Sequence, residues 1–518
     1  MPQQSIIDFL SQPASYGLSP GALVERIETH AATVFLAGDH AFKMKREVCL
    51  PYLDFSTLEK RKSACENELR LNRRTAPRLY LGLVPLTRDD GGALAIGGDG
   101  RVCEWLVKMR RFPPEALLDQ AAREHPLPRQ LLLRLADHIA AFHGAAESAV
   151  DWGGADELAR IAQGNAERIA RYTPALFDAA RATAVNDAVQ RAIESQRPLL
   201  ERRRAEGKAR HCHGDLHLGN IFLDGEEPTL FDAIEFDDRL ARNDVLYDLA
   251  FLLMDLWHRR SRREANLVLN RYLLRTGDYA GLAAMPLFLA LRAEIRAHVS
   301  ATMAENAADP APLIAEARDY LRMAGDFLAG GRVALLAVGG FSGSGKSHLA
   351  SALAPLVGPA PGAICLRSDE IRKTLLGRDP EETLDATAYT GAVSARVYAE
   401  LRARAVEVLA AGHAVIADAV HNRPETRRAL EDLAAAAGVP FLGLWLEADA
   451  ALMARRIAGR RHDASDADVE VMHRQVAAGA GRMTWHKLAA VRPLAENLEE
   501  IQRLLDDRTA PLAALAEG

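Results

Sequence analysis

Apolar runs alternate with turn residues through residues 20 to 110, in THAATVFLAGDHAFKMKRE and again in YLGLVPLTRDDGGALAIGGDGRVCEWLVKM. With turn residues at DDGG and GGDG, the pattern predicts a small antiparallel sheet with hairpins at both turns. One helix interrupts it, STLEKRKSACENELRLNRR, where Ser56 followed by Glu59 predicts a capping box. Residues 115 to 205 and 243 to 329 are rich in Ala, Leu and Arg at helical spacing. The segment ENAADPAP reads as a surface connection, and after one more helix Gly330 and Gly331 end the pattern. The domain boundary is expected there, between residues 1–330 and 331–518, with few contacts crossing it. Beyond it the strands VALLAVGG, AICLRS, HAVIADAV and FLGLWLEA alternate with helices, the signature of a parallel sheet in an α/β domain. No internal repeat is visible.

Composition narrows the class without naming a function. A chain of 518 residues, 49% hydrophobic and 26% charged, is ordinary globular protein with room for two to four cores. The longest apolar runs are shorter than the roughly 20 residues of a membrane span, and LYDLAFLLMDLW already contains acids. The segment MPQQSIIDFLSQP lacks the basic start and apolar core of an export signal, so a soluble, cytoplasmic protein is expected. Five scattered cysteines without a C-x-x-C pair argue against a disulfide framework or a zinc ribbon. A net charge of −6 gives no reason to expect nucleic acid as a partner.

Chemistry first surfaces in HCHGDLHLGN, residues 211 to 220. A metal site would need His211, Cys212, His213 and His217 to converge, but neighbours in an extended segment point to opposite faces and Gly214 breaks any helix. Phosphoryl transfer accounts for the stretch better. An Asp takes the proton of the acceptor hydroxyl and an Asn five residues on holds magnesium, the spacing of Asp215 and Asn220. A second metal-binding Asp should follow one short hairpin, and after IFLDGEEPTL comes Phe231 and then Asp232.

These residues resemble the aminoglycoside phosphotransferase and choline kinase group of protein-kinase-like folds, over roughly residues 1 to 330. The likeness rests on HGDLHLGN, on FDAIEF in place of the kinase D-F-G, and on RNDVLYDLAFL, where such proteins carry an Asp in a helix. It implies an α+β kinase-like domain with Asp215 as base and Asn220 and Asp232 as magnesium ligands. An ATP-holding lysine on an early strand should pair with a helix glutamate, which makes Lys43 and Glu68 the candidates. Lys45 lies on the same strand face as Lys43, and Glu66 is near Glu68. No G-x-G-x-x-G loop precedes Lys43.

The second half carries GFSGSGKS, Gly340 to Ser347, which satisfies G-x-x-x-x-G-K-S/T between a strand and the helix SHLASALAPLV. Backbone amides of such a loop wrap phosphates at a helix N-terminus. Gly340, Ser342, Gly343, Ser344, Gly345, Lys346, Ser347 and His348 are therefore the expected nucleotide contacts. Lys346 would reach the β and γ phosphates and Ser347 would bind magnesium. AICLRS runs into SDEIR, setting Asp369 at the C-terminal edge of the sheet as a base, with Arg372 one turn later facing an anionic acceptor. HAVIADAV ends on Asp418, a carboxylate of the kind that orders magnesium. LMARRIAGRRHDASDAD puts Arg456 and Arg460 four apart before a polar loop, where they could close as a lid on the migrating phosphoryl group. GFSGSGKS, SDEIR, VIADAV and RRIAGRRHDASDAD resemble small P-loop kinases of the gluconate kinase, polynucleotide kinase and zeta-toxin kind. The two halves together look like bacterial bifunctional proteins that fuse an aminoglycoside-phosphotransferase-like domain to an ATP-binding kinase-like domain.

The expected function is ATP-dependent phosphotransfer at two nucleotide sites, using ATP and Mg2+, onto hydroxyl groups of small molecules. One alternative is a nucleotide-binding sensor with one inactive kinase-like domain. Another is a nucleic-acid 5'-hydroxyl kinase, to which an aromatic fraction of 6% and an acidic net charge lend no support.

Overall fold

A computed structural model of the chain describes residues 3–29, 31–50, 53–459 and 464–509. It divides into two compact units, one built from Met1–Arg160 and Leu200–Asp255, the other from Ile161–Leu199 and Leu256–Gly518. No described helix is long and apolar enough to cross a membrane.

In the first unit, β1 (Val24–Glu28), β2 (Ala32–Ala37), β3 (His40–Lys45), β4 (Tyr80–Arg88), β5 (Leu94–Ile96) and β6 (Arg101–Arg110) form one antiparallel sheet in the order β1-β2-β3-β6-β4-β5. Alternation along β3 explains its two faces. Phe42 and Met44 are buried with Phe35, Leu86 and Leu106 against Ile6 and Leu10 of the helix Gln3–Leu10. Lys43 and Lys45 therefore point the other way, toward α1 (Leu58–Asn72), whose Cys65 and Leu69 pack with Val107 and Phe222.

Two local expectations change. The hydroxyl of Ser56 donates to Asp54 Oδ1 at 2.6 Å, so the cap of α1 falls to Thr57, whose side chain accepts from Lys60 N. The turn GGDG does not close a hairpin between its neighbours. Both β5 and β6 pair with β4, one on each edge, so the chain at GGDG passes across the end of β4. A Cβ at Gly100 would lie 2.2 Å from the Arg88 carbonyl oxygen, which is why that crossing needs glycine. The predicted hairpin after HGDLHLGN does form, with β7 (Ile221–Asp224) paired to β8 (Glu227–Leu230) around Gly225, φ +70°.

The first unit ends within α2 (Val245–His258). The second unit combines α3 (Arg262–Thr276), α4 (Met285–Ala304) and α5 (Ala311–Ala329) with a five-stranded parallel sheet. Its strands are β9 (Leu335–Gly339), β10 (Ile364–Arg367), β11 (Val415–Asp418), β12 (Phe441–Glu447) and β13 (His486–Ala489), in the order β10-β11-β9-β12-β13. The four expected strands are present. The edge strand β13 is not among them, because the four residues HKLA carry no apolar run. Few contacts were expected across residue 330, yet α3 is tied to the strand and loop region of this sheet. Asn266, Asn270, Arg271 and Arg275 reach Ala363, Cys365, Glu381 and Asp379.

Three buried histidines in this unit set an acid limit on stability. Burial holds His298 and His413 down to about 4 and His421 down to about 3, against an ordinary value of 6.5. All three are neutral when folded. Below pH 6.5 the unfolded chain binds protons that the folded chain refuses, so stability complete above that pH falls as the pH drops toward 4. Each histidine contributes at most ~1.4 kcal/mol per pH unit. Urea midpoints should be lower at pH 5 than at pH 7.5, and His413→Gln should flatten the difference. An unchanged pH dependence in that variant would refute the assignment.

Candidate active sites

In the first unit, β3 and α1 bring the first group of side chains together. Lys43 Nζ lies 2.9 Å from Glu68 Oε1 and 2.5 Å from Asp232 Oδ1, a contact spanning 189 residues of sequence. Lys45 Nζ lies 2.6 Å from Glu68 Oε2 and also pairs with Glu235. Sequence leaves Lys43 and Lys45 open; both bind Glu68, but they differ in reach. Lys45 is buried between two carboxylates, whereas the Lys43 side chain is 13% exposed and pairs with Asp232, itself 41% exposed. Burial by itself would depress the Lys43 ammonium. The carboxylates of Asp232, Glu68 and Glu235 outweigh it and raise its pKa well above the ordinary lysine value. Glu68 is held below the usual carboxylate range by both lysines despite its burial. Glu66 is exposed and pairs with Lys62.

Asp215 and Asn220 meet directly. Asn220 Nδ2 donates to Asp215 O and Oδ2, both at 2.9 Å, while His217 Nε2 lies 3.4 Å from the same Oδ2. Upstream backbone is anchored by buried Asp248 on α2, which accepts from His213 N at 3.1 Å and Gly214 N at 2.8 Å. RNDVLYDLAFL contains this residue, but nothing in its spacing announces two backbone amides as partners. Asp232 has φ +60°, a left-handed conformation. Its amide donates to the Tyr80 hydroxyl at 3.2 Å, and the next amide, Ala233, donates to Asn72 Oδ1 at 2.8 Å. Tyr80 and Asn72 escape sequence reasoning, since each is an ordinary residue until the fold sets it against the Asp232 and Ala233 amides; Glu235 lies within FDAIEF, but only the fold pairs it with Lys45. The oxygens of Asn220 and Asp232 are the hard donors that magnesium takes, so the residues fit that ion.

His211, Cys212, His213 and His217 do not converge. The metal-ligand grouping found among the described residues is His143, Cys212 and Asp248, which shares one member with that set. His213 Nε2 faces Phe231 O at 2.9 Å, and His217 Nδ1 accepts from Gly219 N at 3.1 Å.

In the second unit, Gly340 to Gly345 form the loop between β9 and α6 (Lys346–Leu353), and Lys346 and Ser347 open the helix. Gly343 and Gly345 have φ +84° and +98°, and a Cβ at Gly343 would lie 2.6 Å from Met453 O. Glycine is required there by both dihedral and space. Ser342 N donates to Gln475 Oε1 at 2.9 Å, Ser344 is buried, and His348 is exposed on the first turn of α6. Lys346 is buried. Asp418, at the end of β11, is buried too, and burial raises its pKa while Arg367, Lys346 and the Ser347 hydroxyl oppose the rise. Its Oδ2 lies 3.3 Å from Arg367 Nε, and its Oδ1 has no hydrogen-bond partner within the protein. A buried carboxylate oxygen without a partner, next to the Ser347 hydroxyl, fits a magnesium ion.

Asp369 lies in the first turn of α7 (Ser368–Leu375), directly after β10. Arg372 is buried and committed, donating to Ala388 O at 2.7 Å with its guanidinium 4.7 Å from the Tyr389 ring centroid. Arg456, on α8 (Ala450–Ala458), donates to Ser344 O at 2.6 Å and Ala490 O at 2.9 Å, so it braces the phosphate loop. Arg460 lies beyond that helix, outside the described residues.

Two family models match the chain, and the first of them spans parts of both units. Residues 54–285 match a phosphotransferase enzyme family and residues 335–483 match an AAA domain family. Uncharacterized protein Rv2004c of Mycobacterium tuberculosis is 31% identical over 474 residues, 90% of this chain and 92% of its own length. A Mycobacterium bovis protein, Mb2027c, matches equally. Among solved structures, a choline/ethanolamine kinase family protein from Mesorhizobium loti is 14% identical, with a TM-score of 0.39, over 61% of this chain and 96% of its own. A gluconokinase from Sinorhizobium meliloti is 18% identical, with a TM-score of 0.25, over 34% of this chain and 98% of its own.

Proposed function

We propose, from the premise that this chain belongs to the same family as the mycobacterial protein Rv2004c, that it transfers the γ-phosphoryl group of ATP to hydroxyl groups of small molecules at two sites. The chain is a phosphotransferase, with a protein-kinase-like first part and a P-loop kinase-like second part. The observation that carries the proposal is the meeting of Lys43, Glu68 and Asp232 beside the ordered pair Asp215 and Asn220. An ammonium held by two carboxylates is preorganised to take up phosphate oxygens, and this group draws on a strand, a helix and a loop far apart in sequence.

In the first site, Asp215 takes the proton of the acceptor hydroxyl, and Asn220 and His217 keep its carboxylate oriented. Lys43, rather than the enclosed Lys45, reaches the nucleotide phosphates; Glu68 fixes its direction. Asn220 and Asp232 would hold magnesium. In the second site, the loop from Gly340 to Ser347 wraps the phosphates, with Lys346 on the β and γ groups, while Ser347 and Asp418 would hold magnesium. Asp369 takes the acceptor proton there, and Arg456 keeps the loop in shape through the Ser344 carbonyl. Bound magnesium supplies charge neutralisation on the β and γ phosphate oxygens.

The test is phosphate transfer from γ-labelled ATP to pools of hydroxyl metabolites by the full-length chain. Labelled products that vanish separately with Asp215→Asn and Lys346→Ala are expected. No labelled product from any pool, with ATP bound normally, would favour a nucleotide sensor instead.

A further inference from the structure

Strand β10 lies at one edge of the parallel sheet and, among the described strands, pairs only with β11, so the backbone groups on its outer side have no strand partner. Side chains of α3 occupy that side. Asn270 Oδ1 accepts from Cys365 N at 2.7 Å, and Asn266 Nδ2 donates to Ala363 O at 3.0 Å, with Asn270 Nδ2 3.3 Å from the same oxygen. A primary amide is chemically a peptide group, so Asn270 supplies one rung of the ladder a further strand would have made. Gly362 makes the approach possible, because a Cβ there would lie 2.8 Å from Asn266 Nδ2.

The same helix holds the chain again beyond α7. Arg271 pairs with Glu381, Nη1 to Oε1 at 3.0 Å and Nη2 to Oε2 at 3.1 Å, and Arg275 Nη1 lies 2.6 Å from Asp379 Oδ1. Helix α3 thus grips β10 on one side of Asp369 and the loop after α7 on the other. It falls within the stretch that matches the phosphotransferase family, whereas the segment it grips falls within the AAA match.

We infer that Asn270 is a positioning residue for the P-loop site: through β10 it sets where Asp369 stands relative to the phosphate loop. The inference rests on the reading of Asp369 as the proton acceptor. The loop itself is mounted on the central strand β9 and on the first turn of α6, whereas the side chains of α3 bond to Ala363, Cys365, Glu381 and Asp379. Loss of the amide should therefore displace the base and leave nucleotide binding alone. A base displaced by about 1 Å loses on the order of 100-fold in rate.

The experiment uses the full-length chain in an Asp215→Asn background, which silences the first site, and follows Mg·ATP hydrolysis with water as acceptor. In that reaction the water proton passes to Asp369 as the new P–O bond forms and ADP leaves. Asn270→Leu should lower kcat by about 10- to 100-fold with KM for ATP unchanged, and hydrogen exchange at the Cys365 amide should accelerate. Asn270→Asp keeps the acceptor for Cys365 N, so it should retain the slow exchange and recover most of kcat; if Asn270→Leu does not fold, this variant carries the test. Unchanged kcat in Asn270→Leu, a KM that rises as kcat falls, or an Asn270→Asp protein with slow Cys365 exchange but the full loss of kcat would overturn the inference. Asp369→Asn separates the two ideas. If it turns over at the parental rate, the base assignment fails whatever Asn270 does; if it is slow while Asn270→Leu is not, only the positioning role fails.

Discussion

Asp215→Asn should leave Mg·ATP binding at the first site intact and cut phosphoryl transfer there by roughly 100- to 10,000-fold, the range for a lost general base. The amide matches the carboxylate in shape, so it can stay beside Asn220 and His217, and the backbone anchor through Asp248 does not involve the changed atoms. What disappears is the ability to accept a proton. Asp232→Asn should behave differently, weakening magnesium-dependent nucleotide binding as well, because an anionic ligand is lost and Lys43 loses one of its two carboxylates. Isothermal titration with Mg·ATP and single-turnover transfer separate the two. Full transfer by a folded Asp215→Asn protein would remove Asp215 from the chemistry. Stoichiometric zinc bound through His213 and His217 would do the same to the whole reading.

Lys346→Ala should abolish nucleotide turnover at the P-loop site while the first site continues. The side chain is buried, so the substitution does more than remove a charge at a surface. Lys346 is one of the groups that oppose the burial-driven rise in the Asp418 pKa, and without it Asp418 should protonate more readily. A lower melting temperature is therefore expected together with the loss of turnover, so folded protein must be verified by circular dichroism and by retained activity of the first site. Undiminished P-loop turnover in that folded protein would refute the role of Lys346.

Much of both sites is legible in local spacing. Asp215 and Asn220 are five residues apart because one short turn must aim both at a common point, and GFSGSGKS is contiguous because a phosphate cradle is built from consecutive backbone groups. The alternation in HAFKMK likewise places Lys43 and Lys45 on one face. The same local logic fails where a neighbour competes. Ser56 is as good a cap as Thr57 by type, and only the carboxylate of Asp54 decides between them. The turn at GGDG has hairpin composition, yet β4 offers two edges and takes a strand on each.

The sequence by itself determined the motifs HGDLHLGN and GFSGSGKS, the parallel sheet that carries the second of them, and the strand face that Lys43 and Lys45 share. All three follow from periodicities and spacings within about twenty residues. Tertiary structure alone decided which lysine stays accessible, that Glu235 holds the other, that Asp248 fixes the turn before Asp215, and that Asn270 finishes the edge of β10. These contacts join residues 34 to 190 positions apart. A glutamate, an aspartate or an asparagine in a helix or loop looks the same in sequence whether it faces water or completes a distant backbone, because the partner is chosen by how whole elements pack.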